Sequence, residues 1–212
     1  MLDNHGFDMW AGEYDKSVDV SDTENEYPFA GYKKIMNAIY GMVMEKCPAK
    51  ILDIGIGTGT LSFKLYESGN DITGIDFSTE MLMQSKAKMP RAKLIQYDFS
   101  QGLPNEINGV KFDFIISTYA LHHLDDKSKV GFINALLGNI SESGAIIIGD
   151  VAFQDRDSLE ECKNARGEDN WDDDEFYVVF AALREELSST CILTYHQYSH
   201  CSGILEIRPL HS

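Results

Sequence analysis

The sequence predicts an α/β fold: a three-layer αβα sandwich around a mostly parallel, seven-stranded sheet that closes in an antiparallel C-terminal hairpin. Three observations carry this expectation. Runs rich in Ile, Leu, Val and Phe alternate with segments of helical periodicity, the pattern that parallel βαβ units produce. The last two strand-like runs, residues 191–198 and 204–207, are joined only by Ser199-His200-Cys201-Ser202-Gly203. A parallel crossover needs a dozen residues or more, so this pair must be antiparallel. Finally, a loop with glycine at every second position, Gly55, Gly57 and Gly59, follows the first strand directly.

The elements follow in order. Residues 32–47 read as a helix. Lys50 to Ile54 is an apolar, β-branched run interrupted by a single acid, and predicts the first strand. Gly59 to Ser68 predicts a helix with Leu61, Phe63 and Leu65 available for packing. Asp71 to Ile75 predicts the second strand, ending at Asp76. Ser78 to Lys88 is a helix that offers Met81, Leu82 and Ser85 on one face, with Pro90 just beyond it. Ala92 to Gln96 and Phe112 to Ser117 are strands three and four. The fourth is almost continuously apolar, as a strand covered on both faces must be. Asp125-Asp126 can cap a helix carrying Val130, Ile133, Leu137 and Ile140. Ser141 to Gly144 reads as a turn before strand five, Ala145 to Val151. Residues 154–166 and 174–187 read as helices.

Composition narrows the partners. The 212 residues fit one domain, with 1–48 as an N-terminal cap and 49–212 as the core. Acids outnumber bases 34 to 18, a formal charge of −16, and no basic cluster stands out. Nucleic-acid binders need a basic footprint to displace counterions, so DNA and RNA are disfavoured, as is an anionic membrane surface. The N-terminus lacks a basic region followed by an apolar stretch, so a cytoplasmic location is expected. Cys47, Cys162, Cys191 and Cys201 are scattered, which predicts free thiols, and no metal-ligand spacing is evident. The run Asp172 to Glu175 could bind a cation, but reads first as a solvated helix start. A small-molecule substrate and a monomer or homodimer are expected.

Four features fall at the ends of successive predicted strands, where an open α/β sheet holds its ligand. Asp53 to Gly59 follows strand one. The dinucleotide pattern G-x-G-x-x-G would need glycine at position 60, where Thr60 stands. Asp76 follows strand two and is placed to accept hydrogen bonds from vicinal ribose hydroxyls. Asp98 and Phe99 close strand three. There a carboxylate can accept from an adenine amino group and a backbone N–H can reach a ring nitrogen, with Phe77 and Phe99 as apolar contacts to the base. Ser117 to His123 follows strand four, beside the reacting end of such a cofactor. Phe7, Trp10, Tyr14 and Tyr27 form an aromatic N-terminal segment that can act as a lid over the crevice.

The pattern Asp53-x-Gly55-x-Gly57-x-Gly59 resembles motif I of the class I S-adenosylmethionine (SAM) dependent methyltransferases, whose Rossmann-like fold ends in an antiparallel hairpin. With Gly74-Ile75-Asp76 and Ser117-Thr118-Tyr119-Ala120-Leu121-His122-His123-Leu124, the chain is similar over nearly its whole length to a group of small Bacillus-type methyltransferases of undefined substrate. The resemblance implies SAM as cofactor and Gly55, Asp76 and Asp98 as contacts to it. It also implies a role near the methyl cycle. Asp53, Gly57, Gly59, Phe77, Phe99, Ser117 and Tyr119 complete the expected cofactor site. Methyl transfer is an in-line displacement that needs a base only when the acceptor must lose a proton. His123, His122 and Tyr14 are the candidate catalytic residues. The alternative from another class is a non-catalytic sensor of SAM or S-adenosylhomocysteine.

Overall fold

The computed structural model describes residues 26–167 and 170–210. Trp10, Tyr14 and Phe7 therefore lie outside the described residues. The described chain runs α1 (Tyr32–Met44), β1 (Lys50–Ile54), α2 (Thr60–Glu67), β2 (Asp71–Asp76), α3 (Thr79–Lys88) and β3 (Lys93–Gln96). It continues with β4 (Phe112–Thr118), α4 (Asp126–Leu137), β5 (Ile140–Phe153), α5 (Arg156–Arg166), β6 (Val178–Val179), α6 (Phe180–Leu187), β7 (Cys191–Gln197) and β8 (Ser202–Pro209).

The main path of the sheet has the order β3-β2-β1-β4-β5-β8-β7. Strands β1 to β5 are parallel, and β8 inserts antiparallel between β5 and β7. The chain moves outward from β1 to β3, then crosses back to place β4 on the other side of β1. This reversal opens a crevice beyond the strand ends of β1 and β4. The two-residue β6 pairs with the end of β5 as an eighth strand that the sequence reading had not separated from a helix.

Apolar residues on alternate positions send side chains to opposite faces, and each face finds its own helices. Ile51, Ile116 and Ile147 pack with Ile35, Ile39 and Val43 of α1 and with Leu61 and Leu65 of α2. Leu52, Ile115, Ile146 and Ile148 pack with Phe132, Ile133 and Leu136 of α4 and with Leu183 and Leu187 of α6. This is the expected three-layer sandwich. Helix starts are set by side-chain caps: Ser78 accepts from Met81 N, Asp125 from Ser128 N and Asp155 from Ser158 N.

Two boundaries differ from expectation. The turn expected at Ser141 to Gly144 is part of the long strand β5, whose pairing with β4 carries an irregularity between Phe112 and Phe114. The helix expected over 174–187 begins only at Phe180. The acids of 172–175 do not start a helix, because the chain first runs back toward the crevice: Phe176 N donates to His122 O at 2.8 Å.

Helix α1 reaches the sheet through a close approach. A Cβ on Gly149 of β5 would collide with Ile35 and lie 2.9 Å from Ile39 Cδ1. Gly149→Ala should therefore destabilise the fold by about 1–3 kcal/mol through overpacking, read by urea unfolding. Adding Ile39→Val, which deletes that Cδ1, should recover part of the loss, and an unchanged midpoint in the single variant would mean that α1 is not held this closely.

Candidate active site

The crevice is open to solvent and lies where the loops after β1, β2 and β4 meet helix α1. Its floor is the loop between β1 and α2. Gly55, Gly57 and Gly59 all take positive φ, at 69°, 54° and 75°. At Gly55 the requirement is also steric, since a Cβ would stand 2.5 Å from Ala120 Cβ of the loop after β4. The two loops that face each other across the switch point thus touch at a position that admits only glycine.

The loop is held by β2. Gly55 N and Ile56 N both donate to Ile75 O, at 2.9 and 3.0 Å, and Gly57 N donates to Asp76 Oδ2 at 2.8 Å. Gly59 N donates to Ile56 O at 2.9 Å. These amides are therefore engaged inside the loop and are not presented to a ligand. The second oxygen of Asp76 accepts from Ser78 N at 2.9 Å. Asp76 joins three pieces of chain and lines the crevice.

Asp53 lies beneath the loop, 3% exposed. Its Oδ2 accepts from Ser62 Oγ at 2.6 Å, while the buried Oδ1 has no partner. Burial pushes its pKa up to about 7; the Ser62 hydrogen bond opposes this and Asp76 adds to it. An orphaned, buried acceptor that lines the crevice fits a ligand donor or cation at that point. No Lys or Arg lines the crevice among the described residues. Asp53 and Asp76 give this end of the crevice an acidic character that suits a cationic ligand better than a pyrophosphate.

Of the remaining expected cofactor residues, Phe77, Phe99 and Tyr119 line the crevice. Asp98 is exposed and caps the short turn at Phe99, accepting from Ser100 N at 2.9 Å. Ser117 is buried between strands, its Oγ donating to Ile54 O at 3.0 Å. Gly59 and Ser117 are not among the lining residues, and neither is Asp98. Sequence reading missed Tyr32 and Met36 of α1, and Thr118, which do line it. Tyr119 is the one non-glycine residue with positive φ among those described, at 51°. Its ring packs 5.2 Å from both Phe29 and Tyr32. Strain of this kind persists only where surrounding contacts over-determine it.

The far end of the crevice is built on Asp150, an acid that sequence reading also missed. It is fully buried, and its carboxylate accepts from Leu121 N at 2.9 Å, His122 N at 3.3 Å, Val151 N at 2.7 Å and His122 Nδ1 at 2.6 Å. Burial alone would raise its pKa, but His122 outweighs that and the net shift is downward. Burial lowers the His122 pKa; Asp150 and Glu175 outweigh it, so its net shift is upward. His122 is not among the residues that line the crevice, and its Nε2 lies 3.2 Å from Glu175 Oε2. His123 lines the crevice, and burial together with the neighbouring His122 charge lowers its pKa to about 4.

Spacing along the chain shows no metal-ligand set, but three potential ligands come together in space. His122, His123 and Glu175 bring three ligand atoms within 4.8 Å of one another. Spacing along the chain could not show this, because Glu175 arrives from a separate loop. Of the four aromatic residues singled out near the N-terminus, Tyr27 is described. It is buried, stacks on Trp171 at 5.0 Å and bonds the Tyr177 hydroxyl. Cys47, Cys162, Cys191 and Cys201 are free thiols, as expected. No described helix is long and apolar enough to cross a membrane.

Fold and crevice together define a class of SAM-binding α/β enzyme, and comparison with known proteins agrees. Residues 51–144 match a family described as a methyltransferase domain. An uncharacterized methyltransferase of Geobacillus thermodenitrificans is 36% identical over 185 residues, covering 84% of this chain and 82% of the relative. One from Anoxybacillus flavithermus is 37% identical over 155 residues, covering 73% and 69%. Among solved structures, the DhpI complex with S-adenosylhomocysteine superposes with a TM-score of 0.67 at 16% identity, covering 97% of this chain and 94% of that one. Magnesium protoporphyrin IX methyltransferase of Synechocystis with bound S-adenosylhomocysteine gives 0.68 at 20% identity, covering 85% and 84%. The chain belongs to the group of Bacillus and Geobacillus proteins named uncharacterized methyltransferases, and it shares the fold of methyltransferases solved with S-adenosylhomocysteine.

The raised Asp53 pKa has a consequence for stability. A folded value above the unfolded one contributes stability that is complete below about pH 4 and is lost as pH rises toward 7. Asp53→Asn removes this dependence. Thermal unfolding without cofactor should show the variant gaining on the parent between about pH 4 and pH 7, by at most about 4 kcal/mol. Parallel pH profiles would show that Asp53 is ionised in the fold throughout.

Proposed function

We propose that this methyltransferase acts on a small-molecule acceptor bound at the His123 end of the crevice. The observation that carries this reading is the crevice itself, lined by the Asp53 and Asp76 carboxylates and by the His123 imidazole. The excess of acids over bases supports a small acceptor over a nucleic acid. The resemblance to the Bacillus-type group supports a link to the methyl cycle.

In this reading Asp76 accepts from the ribose hydroxyls, Phe77 and Phe99 contact the base, and Asp53 Oδ1 receives the cationic end of the cofactor. Asp98 stands at the rim for the adenine amino group. Helix α1 contributes Tyr32 and Met36 to the roof, which supports an N-terminal cap over residues 1–48. The acceptor lone pair forms a bond to the methyl carbon as the carbon–sulfur bond breaks, and that electron pair remains on sulfur as the neutral thioether. His123, kept unprotonated by its low pKa, takes the proton where the acceptor carries one.

Incubating the protein with trideuteromethyl-labelled SAM and a bacterial metabolite extract tests this directly. Mass spectrometry should find a labelled small molecule together with S-adenosylhomocysteine. Tight SAM binding with no labelled product would convert the reading to the non-catalytic sensor.

The ribose assignment has its own test. Asp76→Ala should weaken S-adenosylhomocysteine binding by roughly 1.5–3 kcal/mol, about 10- to 150-fold, in isothermal titration of a folded variant. Unchanged affinity would remove Asp76 from the cofactor site.

A further inference from the structure

His122 and His123 are consecutive in a short 3₁₀ turn, Leu121–His123, yet both rings approach one carboxylate. His122 Nε2 lies 3.2 Å from Glu175 Oε2 and His123 Nδ1 lies 3.9 Å from Glu175 Oε1, with ring centroids 4.3 Å apart. Ligands placed tetrahedrally at 2.0–2.1 Å from an ion stand about 3.3–3.4 Å from each other. One of these separations matches such an edge, and one ligand atom from each of the three residues lies within 4.8 Å of the others, so small side-chain rotations would close a coordination shell.

The surroundings fix the ligands. The buried Asp150 holds His122 Nδ1 at 2.6 Å, which leaves Nε2 directed at Glu175. A carboxylate on the remote nitrogen of a ligating histidine is the usual second layer of a metal site, and it sets the tautomer. Glu175 is tied to the same turn through its neighbour, since Phe176 N donates to His122 O at 2.8 Å. His123 also lines the crevice, so an ion here would face the space assigned to the acceptor.

The geometry points to a binding site for a divalent first-row transition ion, with His122 Nε2, His123 Nδ1 and a Glu175 oxygen as ligands and a fourth position open to the methyl acceptor. Two imidazoles and one carboxylate select Zn²⁺, Co²⁺ or Fe²⁺ over Mg²⁺, which prefers an all-oxygen shell. The inference deepens the proposed function and rests on it for the identity of the open ligand. An acceptor bearing an acidic O–H, N–H or S–H would coordinate through its heteroatom and release its proton to solvent. The retained lone pair would then attack the methyl carbon as the carbon–sulfur bond breaks. With Nδ1 on the ion, the His123 proton resides on Nε2, so the ring gives up the role of base and donates toward the acceptor.

The test uses the full chain, freed of metals with a chelator. Titration with Co²⁺ should produce visible absorption of a four- or five-coordinate centre at one equivalent, and Zn²⁺ should displace it. Glu175→Gln and His123→Ala should each weaken Zn²⁺ binding at least 10-fold in competition with a chromophoric chelator. The Asp172→Asn, Asp173→Asn double variant, which alters exposed acids outside the cluster, should bind as the parent does. Equal binding by all variants, or none at one equivalent, would overturn the site and leave His122–Glu175 as a hydrogen bond. Titration of the same proteins with S-adenosylhomocysteine separates the two claims. A parent that binds S-adenosylhomocysteine but no ion loses only the metal site. A parent that binds the ion but no S-adenosylhomocysteine loses the acceptor role, while the ligand set stands.

Discussion

A buried group stays an ionised carboxylate only if its oxygens are bonded, and Asp150 meets that demand with three backbone amides and one imidazole. The acceptor end of the crevice depends on this. The amides of Leu121 and His122 are drawn onto the end of β5, so the chain leaving β4 must turn sharply, and Tyr119 takes up positive φ on the way. That turn places Ala120 against Gly55 and aims His123 into the crevice. Asp150 is opposite Gly203 in the antiparallel register with β8, so the terminal hairpin also supplies the cover that keeps water from it. Removal of this carboxylate would leave a buried ring and buried amides without partners, and would loosen loop, strain and imidazole together.

Asp76 plays the corresponding part at the other end. It also bonds two backbone amides, but it remains at the crevice wall. The glycine loop therefore owes its shape to β2, while its amides are spent internally. The site selects its ligand by charge and fit more than by a nest of free donors. Among the described residues the lining holds Asp53 and Asp76 and no Lys or Arg, which disfavours a phosphate-bearing ligand.

Much of the fold was legible because it follows from periodicity. Ile35, Ile39 and Val43 recur at helical spacing, and β4 reads as one apolar run because both of its faces are covered. The acids that close β1 and β2 were legible for the same reason, as single charges at the end of apolar strands. Asp150 carries that same signal at the end of β5 and could have been read from it. Glu175 carries none. An acidic run of four looks like a helix start, and only the return of the chain to His122 O separates Glu175 from its solvated neighbours. The length of β5 was hidden by Ser141 to Gly144, turn-like residues that fall in the irregular register between the Phe112–Ile140 and Phe114–Ala145 pairs, so the strand runs through them without regular pairing to β4.

Charge also links the two ends of the reaction. SAM carries a sulfonium that the product lacks, so methyl transfer removes a positive charge from the crevice. On the proposed placement, the crevice carboxylates attract the substrate form of the cofactor more strongly than the product form. Asp53 is poised for this difference. Burial holds its pKa near neutrality, so a cation beside Oδ1 favours the ionised carboxylate, and departure of the ligand restores the proton. The desolvation that makes Asp53 costly in the empty fold is thereby converted into selectivity for a cationic ligand. The protein's formal charge of −16 acts in the same direction at longer range, within the limits that salt screening imposes.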